Sequence, residues 1–271
     1  MARRHRGWAI TAVSVLAISG VGIGASAATQ SAVVTRDPGP TIDPIPFGPG
    51  EKAQYQVKLG ALPVGRGTME VLGIVDVSGQ PTFHTRLHVK GGIPLARVDS
   101  RMDSWIDVRG LFSRRFEQDQ NDLGTKRHRI LDFYPESRTF RQRLTGEVGG
   151  LPTDRPLDDV SFLYYTRTLP LRPGDSYTIN RYFKDDGNPV ILNVLRRETI
   201  TVPAGTFETV VVQPIIKTDG LFGEGGEAEV YFTDDDRRIL VYVRSKIPIV
   251  GSMSLSLEEY EAAVPRAAEK H

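Results

Sequence analysis

Tyr55-Gln56-Val57-Lys58-Leu59 decides the fold. Apolar and polar side chains alternate there. A period of two puts one set on a buried face and the other in water, as in a strand of an antiparallel sheet. The alternation recurs in part at Phe83, Thr85, Leu87 and Val89. It continues over Ile130 to Phe133, Tyr177 to Tyr182, Val190 to Val194, Phe207 to Val212, Val230 to Phe232, Ile239 to Val243 and Met253 to Leu257. Turn-forming residues punctuate these runs at Pro63 to Gly67, Ser78-Gly79, Arg109-Gly110, Asp185 to Asn188, Ala204-Gly205 and Asp234 to Asp236. About a dozen short strands joined by hairpins over residues 51–260 predict one all-β domain. Its form is a single antiparallel sheet, barrel-like or highly curved, since such domains reach ~200–250 residues.

One segment departs from the pattern. Asp158-Asp159-Val160-Ser161 supplies side-chain oxygens that can accept the free amides of a first helical turn. Phe162, Leu163, Tyr165 and Leu169 follow at helical spacing, and Pro170 and Pro173-Gly174 end the run. The expectation is one short helix that covers or plugs the open side of a sheet that does not close.

The chain ends differ from this body. Arg3, Arg4, His5 and Arg6 precede an apolar run from Trp8 to Gly24 that closes on Ala25-Ser26-Ala27, the pattern of a secretory signal peptide cleaved near Ala27. Residues 1–27 therefore predict export by the general secretory route to the periplasm or beyond. Residues 28–50 form a leader carrying Pro38, Pro40, Pro44, Pro46 and Pro49, which reads as an extended spacer that buries little. Residues 261–271 are a polar tail.

Composition excludes several chemistries. The chain has no cysteine, hence no disulfide, thiol nucleophile, cysteine zinc site or cysteine-linked lipid anchor. Of 34 basic and 33 acidic residues, the signal segment holds three arginines and no carboxylate, so its removal turns the formal charge from +1 to about −2. Such a surface does not suit nucleic acid, whose phosphates require a dense basic face. The Arg and Lys residues scattered among carboxylates over residues 101–143 read as a solvated sheet face.

Four local patterns together resemble a family of bacterial exported proteins, domain of unknown function 3108. They are Glu51-x-x-x-Tyr55-x-Val57 leading to Gly65-x-Gly67, and Asp158-x-x-Ser161-x-x-Tyr164-x-x-Arg167, followed by Val202-Pro203-Ala204-Gly205-Thr206-Phe207 and Asp234-Asp235-Asp236-Arg237-Arg238. The resemblance spans Gly50 to Tyr260 and implies an exported, β-rich, barrel-like domain. It brings no activity and no catalytic residue.

Candidate chemistry is sparse. His84 and His88 would lie about 13 Å apart along a strand, too far to share one ion, and read as solvated sheet histidines. His128 stands among Lys126, Arg127 and Arg129 with no carboxylate in sequence to orient it. Asp234, Asp235 and Asp236 offer oxygens for Ca²⁺ but suit a turn better. Ser161 lacks a Gly-x-Ser-x-Gly elbow, and at a helix start its hydroxyl serves as a cap. No cofactor, metal or catalytic set is assigned.

Three apolar segments bracketed by Gly or Pro are more informative: Gly91 to Ala96, Gly220 to Gly223 and Ile247 to Gly251. Their residues Ile93, Leu95, Leu221, Phe222, Ile247, Ile249 and Val250 are the candidate ligand-binding set, at the rim of a cavity or against a membrane surface. Each such side chain left in water forgoes roughly 1.5–3 kcal/mol of burial. The leading expectation is a non-catalytic envelope protein that binds a lipid or other amphiphile. The alternatives are an accessory protein for an envelope protein or cell-wall polymer, and, third, an envelope hydrolase.

Overall fold

The computed structural model describes residues 33–93, 96–122, 125–216, 228–247 and 251–264. The signal segment lies outside them. Fifteen strands form one sheet. They are β1 (Val33–Arg36), β2 (Lys52–Leu59), β3 (Leu62–Val77), β4 (Gln80–Ile93), β5 (Ala96–Asp107), β6 (Ser113–Asp122), β7 (Thr125–Tyr134), β8 (Thr139–Gln142) and β9 (Val148–Gly150). After the helix α1 (Asp159–Thr166) come β10 (Asp175–Ile179), β11 (Val190–Val202), β12 (Gly205–Ile215), β13 (Glu229–Thr233), β14 (Leu240–Ile247) and β15 (Gly251–Glu261).

Strands β2 to β9 form one antiparallel meander and β10 to β15 another. The last strand, β15, pairs with β2 and makes the two meanders one sheet, with Leu257 opposite Tyr55. The sheet stays open, its edges being β1 and β9. The connection from β9 through α1 to β10 carries the chain from one side of the opening to the other. On the inward face, Tyr55 and Val57 of β2, Leu131 and Phe133 of β7, and Leu192 and Val194 of β11 share one core with the helix. Val160 to Thr166 are all buried, so α1 is a plug surrounded by sheet instead of an amphipathic helix lying on it.

Glycine explains one close approach. Gly65 of β3 stands opposite Gly91 of β4. A Cβ on Gly91 would lie 2.2 Å from the Val64 carbonyl oxygen, and one on Gly65 would lie 2.4 Å from that of Lys90. Only residues without a side chain let these backbones come together.

Four expectations need correction. Pro63 to Gly67 is not a turn but the start of the long strand β3; the chain reverses one step earlier, at Gly60-Ala61. The Tyr177 to Tyr182 strand stops at Ile179, and Tyr182 belongs to the following connection. The arginine-rich face of 101–143 is not simply solvated, because Asp103 is buried under His84, Arg86 and Arg101. The Pro-rich leader is not a spacer: β1 pairs in parallel with β10, and Phe47 is buried against Phe83 and Tyr164, with centroids 5.3 and 4.8 Å away. Pro keeps residues 38–50 out of the ladder without keeping Phe47 out of the core.

Candidate functional site

The helix is fixed by two polar anchors. At its start Asp158 accepts from the amides of Val160 and Ser161, while Ser161 Oγ accepts from the Asp158 amide at 2.8 Å, a reciprocal cap. The second Asp158 oxygen accepts from Ser104 and Ser113, both at 2.6 Å. Burial pushes the Asp158 carboxyl up to about 6, against the opposing pull of these hydrogen bonds. Ser161 is therefore occupied by capping in a buried network. Past the other end of α1, Arg167 donates to Glu51 at 2.5 and 3.0 Å and to the carbonyls of Pro46 and Arg237 at 2.8 and 3.0 Å. Burial alone would lower the Arg167 pKa, but Glu51 more than offsets it and leaves it raised.

The histidines and the Asp triplet take structural places. His84 lies 2.7 Å from Asp103 and stacks on Trp105, His88 lies 2.7 Å from Asp99, and His128 lies 3.4 Å from Glu117. Each thus faces a carboxylate on the neighbouring strand, which supplies the orienting group His128 lacked in sequence; His84 is largely covered, against the solvated reading, whereas His88 is a solvent-facing sheet histidine as expected. Asp234 and Asp235 form the β13–β14 turn, paired with Arg197, Arg238 and Arg237. Among the described residues no group of three or more acidic or histidine side chains is arranged to hold a metal ion.

Of the candidate rim residues, Leu95, Leu221, Phe222, Ile249 and Val250 lie outside the described residues. Ile93 ends β4 and Ile247 ends β14. The antiparallel order places the ends of β2, β4, β12 and β14 on the same side of the sheet. Leu62, just past the β2–β3 reversal on that side, is 57 % exposed. The space inside the sheet, where a ligand could also have been expected, is taken by α1 and the aromatic cluster around Phe47 and Tyr164.

Sequence reasoning missed a second place. A cleft of about 320 Å³ opens where β7 and β8 meet the β10–β11 connection, lined by Arg129, Leu131, Phe140, Gln142, Glu147, Gly150 and Phe183 to Asp185. Arg129 shares the inward parity of Leu131 and Phe133 on β7, where the alternation would place an apolar residue. That break in the period is the signal the sequence offered. Its guanidinium lies 5.6 Å over Phe116 and 5.4 Å over Phe183, and Lys184 lies 5.4 Å over the same Phe183 ring. Burial lowers the pKa of both cations; next in effect, Asp159 draws that of Arg129 back up, whereas Arg129 itself lowers that of Lys184 further.

An open antiparallel sheet wrapped on a buried helix, with a cap at one helix end and an Arg–Glu anchor beyond the other, defines a barrel-like all-β class. The chain matches the family described as Protein of unknown function (DUF3108) over residues 54–258, and it belongs to that family. Some of the residues that carried the resemblance form the anchors just described: Glu51, Asp158, Ser161 and Arg167, with Arg237 contributing its carbonyl. Comparison with curated proteins finds no match. Among solved structures the chain is similar to a β-barrel-like protein of domain of unknown function DUF1849 from Brucella abortus. Identity is 12 % over 80 % of this chain and 99 % of that one, with a TM-score of 0.49. It is also similar to a hypothetical protein from Chlamydia trachomatis, at 9 % identity over 82 % of this chain and 93 % of that one, with a TM-score of 0.35.

Proposed function

We propose that the protein is an exported, non-catalytic component of the cell envelope that binds a hydrophobic or amphiphilic ligand at one end of its sheet. Ile93, Leu95, Leu221, Phe222, Ile247, Ile249 and Val250 form the contact, which extends to the surface of a membrane. The observation that carries this reading is the common side on which β4, β12 and β14 end, because all three apolar segments follow those strands. Exposed Leu62 beside them supports it. The signal segment supports export. Cosedimentation with phospholipid vesicles tests it. Wild type is expected in the vesicle pellet, and the double substitution Leu221→Ser, Phe222→Ser is expected to stay in the supernatant with its melting temperature unchanged. Wild type that binds neither vesicles nor fatty acids refutes it.

The accessory-protein reading rests on a different observation: β9 leaves an open edge, with Val148 exposed on it. Protection of the β9 amides from hydrogen exchange by an added envelope fraction, without vesicle binding, would favour that reading.

A further inference from the structure

Charged side chains in half-buried positions are ordinarily paired, because an unpaired cation held away from water loses hydration without compensation. This molecule follows that rule widely. Arg167 has Glu51, Arg196 and Arg244 share Glu229, Arg115 has Asp132, and Arg114 has Asp107. The 320 Å³ cleft departs from it. Neither Arg129 nor Lys184 makes an ion pair among the described residues, although both are held against one aromatic ring. Arg129 Nε is buried with no hydrogen-bond partner. Glu147 and Asp185 line the same cleft without reaching either cation. Asp159, the carboxylate acting most on Arg129, instead accepts from Tyr182 at 2.7 Å.

We propose that this cleft binds an oxyanion carried on an apolar stem, a phosphate or carboxylate headgroup held by Arg129 and Lys184 with its stem along Leu131 and Phe140. The guanidinium offers planar paired donors suited to such an anion, and Lys184 adds a second charge from the opposite element. One part of the wall is apolar: Leu131 is buried, and Phe140 packs against the core. A volume of about 320 Å³ accommodates a headgroup with a short length of chain, at the small end of ligand sites. The inference deepens the amphiphile reading but stands at a different place on the molecule, the seam of the open sheet.

Titration calorimetry with hexyl phosphate, inorganic phosphate and hexyltrimethylammonium tests the assignment. Saturable binding of hexyl phosphate is expected, with inorganic phosphate weaker and the cation not bound. Arg129→Gln and Lys184→Gln should each weaken hexyl phosphate roughly tenfold or more. Both variants should melt at or above the wild-type temperature, since each removes an uncompensated charge. A structural role for Arg129 predicts the reverse, a lower melting temperature with binding untouched, and that result overturns the proposal. So does wild type that fails to bind hexyl phosphate. Equal affinity for inorganic phosphate overturns the apolar stem. Vesicle cosedimentation of Arg129→Gln separates the two sites: it stays at the wild-type level where the strand-end rim alone carries membrane contact, whatever the calorimetry gives.

Discussion

Asp158 and Arg167 show what two buried charges do for a helix of eight residues. A helix this short is not stable by propensity, so its ends must be tied to the surrounding sheet. Arg167 reaches Glu51 and two carbonyls through a planar fork that lysine lacks. Replacing Glu51 by Ala leaves that guanidinium buried and uncompensated, and chemical denaturation should show a loss of about 3–5 kcal/mol. Arg167→Lys should not recover wild-type stability. Asp158 gives a pH signature. Its folded pKa of about 6 lies above the ordinary 3.8, so the unfolded chain ionises first. Its contribution to stability is complete below about pH 4 and is lost as the pH rises through 6. Asn at this position keeps an acceptor for the helix amides and does not titrate. Between pH 4 and pH 7 the stability of wild type should therefore fall relative to Asp158→Asn by about 2 kcal/mol, measured by urea unfolding across that range. Parallel curves for the two proteins would mean that Asp158 does not titrate as described.

At the scale of elements, the leader behaves as a strap. Phe47 is buried between Phe83 and Tyr164, the Pro46 carbonyl accepts from Arg167, and Thr41 donates its amide to the Thr168 carbonyl. Phe47→Ala should cost about 3–5 kcal/mol, and deletion of residues 28–50 should lower the melting temperature by more than that single change. An unchanged melting temperature after the deletion would return the leader to the status of a spacer. Strand β2 and the first half of β11 were legible in the sequence because their inward residues are apolar, with Val190, Leu192 and Val194 alternating cleanly. Strands β5 and β6 were not, for an identifiable reason. Their inward positions include Ser104 and Ser113, polar because they receive the helix cap, and the buried Asp103 on the other face is compensated by ion pairs instead of being apolar. The same logic hid the cleft. Arg129 reads in sequence as one more basic residue beside His128, and its shared parity with Leu131 and Phe133 is the one local sign of its inward place. Phe183 and Lys184 come to it from a connection more than fifty residues away, a proximity no local pattern encodes.

At the scale of the whole molecule, the topology makes two sequence-contiguous meanders into one unit. Strand β15 forms ladder contacts with β14 on one side and β2 on the other, so the C-terminal strand is internal to the sheet. A further bond crosses the same junction: Tyr55 donates its hydroxyl to the Leu240 carbonyl. The helix adds a second tie, since its cap rests on β5 and β6 while Tyr165 donates its hydroxyl to Asp37, which follows β1. Neither meander should then unfold alone, although each could be mistaken for a domain in a contact-free reading. With residues 1–27 removed, Trp105 on β5 is the only tryptophan, so its fluorescence reports the first meander while far-ultraviolet circular dichroism reports both. The two denaturation curves should coincide. Leu257→Ala, a truncation of a fully buried side chain on β15, should cost about 2–5 kcal/mol and shift the Trp105 transition by as much as the dichroism transition. If the Trp105 curve stays at its wild-type midpoint while the dichroism curve moves, the meanders are independent folding units and β15 joins them without coupling them.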